Sequence, residues 1–137
     1  MDGRPWGSLS SWQDADDNRW VVATVWGPSG RDGSLAAFRL AEKDGKPALA
    51  QVWASGKLVR PSPPVIASGV VFALANGDGQ THAVLHALDG SNGKELWSTG
   101  SGVSAPGDLT GLTVANGRVY FATADGTMWV YGIPLEW

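Results

Sequence analysis

An all-β chain of successive four-stranded antiparallel sheets is predicted by three features of this 137-residue sequence. Glycine (19 residues) and proline (8) are abundant, which favours short strands and turns over helices. Turn dipeptides recur between apolar runs, with Ser68-Gly69 and Asn116-Gly117 standing 48 positions apart (68 to 116). Tryptophans close two of the runs, at Trp53 and Trp97, 44 positions apart (53 to 97). A repeat of about 44 to 50 residues with four strands in each copy is the signature of a β-propeller blade.

The strands follow in order. The first unit, about residues 6–56, reads "SLSS", "RWVVATVW", "SLAAFRL", a turn at Asp44-Gly45 and "ALAQVW" ending at Trp53. The second unit, about 61–100, places strands at Val65 to Ala67, Val70 to Ala75, Ala83 to Leu88 and Leu96 to Thr99, with the polar Asn76-Gly77-Asp78-Gly79 ending the second of them. The third unit, about 105–137, carries "LTGLTVANGRVYFATADGTMWVYG", with hairpins at Asn116-Gly117 and Asp125-Gly126, three strands and no fourth. Val70 to Leu74 and Val119 to Ala122 are apolar at consecutive positions, so both faces of these strands must be covered. A blade lying between two others meets that demand, whereas a two-layer sandwich would show polar alternation.

Composition removes several function classes. A net charge of −3 and a charged fraction of 17% give no electrostatic footprint for nucleic acid or an anionic membrane surface. The lack of cysteine removes disulfides, thiolate nucleophiles and thiolate metal sites. No run approaches 18 apolar residues, and the opening "MDGRPWGSLSSW" has no signal-peptide core after Arg4, a pattern that a mature or truncated exported chain shares.

Candidate chemistry is sparse. Asp14, Asp16 and Asn18 alternate like the start of a calcium loop, but Arg19 stands where an EF-hand needs Gly and Val25 where it needs Glu, so a solvated hairpin tip is expected. His82 and His86, read as lying on one strand, would be about 13 Å apart, too far to share an ion. There is no G-x-S-x-G elbow and no phosphate loop opening a helix. No catalytic residue and no metal ligand is assigned.

The stretch "ALDGSNGKELW", residues 87 to 97, resembles the tryptophan-docking motif of the pyrroloquinoline quinone repeat proteins, the quinoprotein-dehydrogenase-like propellers. Ala87, Asp89, Gly93, Lys94 and Trp97 fall on its pattern, with Asn92 where that family has Thr. Trp53 looks like the equivalent of Trp97 after a longer hairpin. In chemical terms Asp89 accepts N–H groups across the turn, Gly93 takes a positive φ, Lys94 returns the chain to solvent, and the Trp97 indole crosses to the neighbouring blade with its N–H on backbone.

The resemblance implies C-terminal blades of a larger ring. Three blades cannot close where about four to eight are usual, and a wet end face forfeits up to about 10 kcal/mol of burial. The remaining blades, or self-association, are therefore the implied partners, and the third unit's missing strand would come from the other end of the ring. A scaffold or binding surface is the function that follows, in a periplasmic or extracellular setting. The alternative is part of a quinone-dependent alcohol or sugar dehydrogenase, its centre completed by absent blades. Family quinone and calcium, where present, sit on the ring axis, towards which Arg60 and Asp108 are placed by position alone; the family's adjacent cysteines are absent. A protein-assembly platform, like the propeller lipoproteins of the outer-membrane machinery, is a third implication.

Overall fold

The structure is a computed structural model and describes residues 3–132. Its first sheet runs β1 (Arg4–Gln13), β2 (Arg19–Trp26), β3 (Asp32–Lys43) and β4 (Lys46–Ala54), with the short β5 (Leu58–Val59) paired to the start of β3. The second contains β6 (Val65–Ala67), β7 (Val70–Ala75), β8 (Val84–Asp89) and β9 (Glu95–Ser98). The third contains β10 (Gly107–Ala115), β11 (Arg118–Thr123) and β12 (Met128–Gly132). All pairings are antiparallel and, apart from that of β5 with β3, join strands consecutive in the chain, and no helix occurs among the described residues. The third unit's remaining positions, 133–137, lie outside the described residues.

Three two-residue turns close the way their sequences require. Asp44-Gly45, Ser68-Gly69 and Asn116-Gly117 all hold both residues at positive φ, between 51° and 76°, the hairpin turn whose twist matches that of the strands. Because these turns fix register, the sheets can be compared position by position. Val21 pairs with Phe38, Val71 with Leu88 and Val119 with Tyr131. One residue on, Val22 pairs with Ala37, Phe72 with Ala87 and Tyr120 with Val130. Trp53 lies opposite Ala37 and Trp97 opposite Ala87, and each pair stands beside a register shift in its sheet.

Alternation then assigns each sheet a forward and a backward face. The forward residues Trp20, Val22, Leu35, Ala37 and Trp53 of the first sheet form one core with the backward residues Val71, Ala73, Ala75 and Leu88 of the second. Leu74 and Leu85, forward on the second sheet, form a second core with Val119 and Phe121 of the third. The chain is thus an open stack of three sheets, a segment of a propeller. The strands predicted to be covered on both faces are so: no residue from Val70 to Leu74 or from Val119 to Ala122 is exposed.

The hairpin before Trp53 is long, as read, and three other local readings need correction. The hairpin of β3 and β4 runs well past the sheet body, with Leu40 and Leu49 paired and exposed, because its strands continue to Asp44-Gly45 without a break. The third strand of the second sheet starts at Val84, since the Ala83 N–H instead bonds Ala105 O (2.9 Å). The fourth starts at Glu95 and ends at Ser98. His82 sits in the loop before β8 and is exposed, so the two histidines share no strand.

Candidate functional site

The seam between the first and second sheets is built around one indole. Trp53, at 7% exposure, donates from Nε1 to Gly90 O (2.8 Å) in the loop between β8 and β9. Gly93 follows in that loop at φ 74°, and a Cβ there would enter the Trp53 ring. Gly90 is closed in as well: a Cβ would lie 2.6 Å from Gly69 O and 3.0 Å from Trp12 Cζ2. Trp12 in turn stacks on Trp20 (5.4 Å between centroids), whose outer side carries the Arg39 guanidinium at 6.0 Å. Only glycine satisfies the backbone and the approach at Gly93 together.

The loop under Trp53 is the segment 87–97 itself. Asp89 Oδ1 accepts from Ser91 N (2.8 Å) and Ser91 Oγ (2.6 Å), Asp89 O accepts from Gly93 N (2.7 Å), and Asn92 Oδ1 accepts from Lys94 N (2.8 Å). Ala87 is buried opposite Trp97, and Lys94 is exposed. Trp97 faces the third sheet. It contacts the next sheet through Tyr131 (centroids 5.4 Å apart, planes tilted by 56°), but remains 45% exposed and makes no indole hydrogen bond among the described residues. By register Gly132 of β12 stands where Asp89 stands in β8, so the position matching the receiving Gly90 lies outside the described residues. Between the second and third sheets an apolar cleft of about 580 Å³ opens beside Trp97, lined by Phe72, Leu85, Leu96, Val119 and Tyr131 among others.

A proline linker, unrecognised in the sequence, fastens the first two sheets at their inner strands. Trp26 Nε1 donates to Pro61 O (3.1 Å), Thr24 Oγ1 to Ser62 O (2.9 Å) and Ser10 Oγ to Pro64 O (2.6 Å). Proline removes the N–H of each ring residue, so the segment offers chiefly carbonyls, and the first sheet supplies the donors. Trp6 stacks on Trp26 at 5.1 Å and stays 43% exposed.

Asn76 was legible only as a turn residue, yet it is fully buried and ties the linker before β6 and the start of the third sheet to the end of β7. Its Nδ2 donates to Arg60 O (2.7 Å) and Ser62 Oγ (2.8 Å), its Oδ1 accepts from Leu109 N (3.3 Å), and its carbonyl accepts from Gly107 N (2.7 Å). A Cβ at Gly107 would collide with the Asn76 amide. Arg60, at φ 49°, and Asp108 stand beside this hub. Their polar atoms serve the backbone there: Arg60 O receives Asn76, and Asp108 Oδ1 receives Thr110 N (3.0 Å) and Oγ1 (2.6 Å).

Four further aspartates are engaged in the same manner as Asp108. Asp14, Asp78, Asp89, Asp108 and Asp125 each accept the N–H two residues ahead, the Asx-turn arrangement. Asp14 further accepts Trp20 Nε1 (2.8 Å), the leading cause of its lowered pKa, and Asp16 N and Asn18 N complete a closed hairpin tip. His86 Nδ1 stands 2.8 Å from Glu95 Oε1 across β8 and β9, a partner the sequence did not reveal. Among the described residues no group of three or more His, Cys, Asp or Glu could hold a metal ion. No helix among them is long and apolar enough to cross a membrane.

Asp78 carries a pH prediction. The Gln80 N–H first and Arg31 second hold its carboxyl down at about 2, against an ordinary 3.8. A depressed folded value means that its stabilisation is complete above the ordinary value and is lost as pH falls from about 4 to about 2. Acid titration of wild type and Asp78→Asn should show a shallower loss in the variant over that interval; superimposable curves would remove the role.

A family model described as outer membrane protein assembly factor BamB matches residues 31–133. No curated protein and no solved structure matches the chain.

Proposed function

Because the chain belongs to the pyrroloquinoline-quinone-like repeat family, in the branch described as outer membrane protein assembly factor BamB, we propose that it is a non-catalytic propeller segment acting as a scaffold for protein assembly. Within this reading Trp53, Ala87, Asp89, Gly93, Lys94 and Trp97 are structural docking residues. The observation that carries it is the use made of the polar groups. Five aspartates hold their own turns, and Asn76 ties the second sheet to the linker and to the third sheet, which leaves packing as the work these residues do. The family's description further supports a periplasmic or outer-membrane-associated setting.

The test is a titration of the chain with pyrroloquinoline quinone and calcium, read by quinone absorbance and by the fluorescence of the eight tryptophans. A scaffold gives no saturable change in either signal. A saturable change would instead favour part of a quinone-dependent alcohol or sugar dehydrogenase.

A further inference from the structure

Asparagine precedes glycine at Asn76, Asn92 and Asn116. Such a pair is open to an intramolecular covalent change, because glycine has no Cβ to keep its amide nitrogen away from the preceding side-chain carbonyl carbon. The reaction needs an exposed turn, a glycine N–H without a partner, and room beside the glycine for the ring that forms. Asn76 meets none of these conditions: it is fully buried, its Nδ2 donates twice, the Gly77 N–H is held by Val59 O (3.2 Å), and a Cβ on Gly77 would collide with Thr81 O. Asn92 is exposed, but its Oδ1 accepts from Lys94 N (2.8 Å), the Gly93 N–H is held by Asp89 O (2.7 Å), and the Trp53 ring lies against Gly93. Asn116 has none of these restraints. Residues 115–118 are all exposed, no hydrogen bond among the described residues engages the Asn116 side chain or the Gly117 N–H, and a Cβ on Gly117 would meet nothing within 4 Å.

From this contrast we propose that Asn116 is a site of spontaneous deamidation in the folded chain, while the fold holds back the same reaction at Asn76 and Asn92. The Gly117 amide nitrogen, giving its proton to water, attacks Asn116 Cγ; the Cγ–Nδ2 bond breaks and ammonia leaves, closing a succinimide ring. Water then opens the ring at either carbonyl and yields aspartate or isoaspartate, with no oxidant or reductant consumed. Both products carry a negative charge that the amide lacks. In isoaspartate the main chain also runs through Cβ and is one carbon longer, in the two-residue turn that sets Ala115 opposite Arg118 and so the register of β10 with β11. Val114, Gly117 and Val119 line the cleft beside Trp97, so the change falls at its margin.

Incubation of the full chain in mildly alkaline buffer, folded and in urea, followed by digestion and peptide mass spectrometry, tests this. In the folded chain Asn116 is expected to convert about tenfold faster than Asn92, whose glycine must first give up its hydrogen bond and its place under Trp53, and faster still than Asn76, which reacts only when the hub opens. Enzymatic methylation specific for isoaspartyl carboxyl groups should label the peptide that holds Asn116. In urea the three pairs should convert at similar rates. An Asn116 that stays intact in the folded chain, or an Asn76 or Asn92 that keeps pace with it, would overturn the proposal. So would the same order of rates in urea, which would trace the selectivity to neighbouring residues and not to the fold.

Discussion

Trp53→Ala is expected to cost about 3–5 kcal/mol, the range for deleting a buried large aromatic, read as a lower urea midpoint with an unchanged slope. That is a large share of the roughly 5–15 kcal/mol that holds a domain folded. The reason lies in the position of the ring, which fills the space over Gly93 and bonds Gly90 O, so its loss opens the seam between two sheets that share no strand pairing. Trp97→Ala, at the same register position in the second sheet, is expected to cost about 1 kcal/mol, because that ring is 45% exposed and contacts chiefly Tyr131. Equal losses for the two variants would contradict the account.

Asn76→Asp is the second large effect, expected at about 3 kcal/mol or more because it buries a charge and sets it against a carbonyl oxygen. The substitution changes no volume. It replaces the Nδ2 that donates to Arg60 O and Ser62 Oγ with an oxygen that faces the Arg60 carbonyl. Ser62→Ala, which removes only one of those acceptors, should cost about 1 kcal/mol. Urea curves for both variants check the order; an Asn76→Asp protein as stable as Ser62→Ala would show that the hub does not bind the linker and the third sheet to the second.

Much of the fold was legible because its determinants are local. Ser68-Gly69 and Asn116-Gly117 set hairpin twist and register from two residues each, and the apolar runs of β7 and β11 announced coverage on both faces. The loop 89–94 was legible for the same reason, since Asp89, Asn92 and Gly93 act on their own backbone. What was not legible depends on partners distant in sequence. Asn76 precedes Gly77-Asp78-Gly79 and so reads as part of a turn, while the carbonyl and hydroxyl it binds lie 16 and 14 residues away and the Leu109 N–H lies 33 away. The proline linker shows only as a break between strands, because its acceptors meet donors up to 54 residues distant. Glu95 was missed as the partner of His86 because pairing across the loop, with a register shift at Ala87, had first to bring β9 alongside β8.

Stitching of one sheet to the next by a tryptophan is most directly measured by nuclear magnetic resonance of the indole N–H groups. The Trp53 indole proton should resist exchange with solvent and show cross-peaks from its ring to the Gly93 α-protons, while the Trp97 indole proton exchanges faster. A Trp53 signal that exchanges as fast as that of Trp97, with no contact to Gly93, would contradict it.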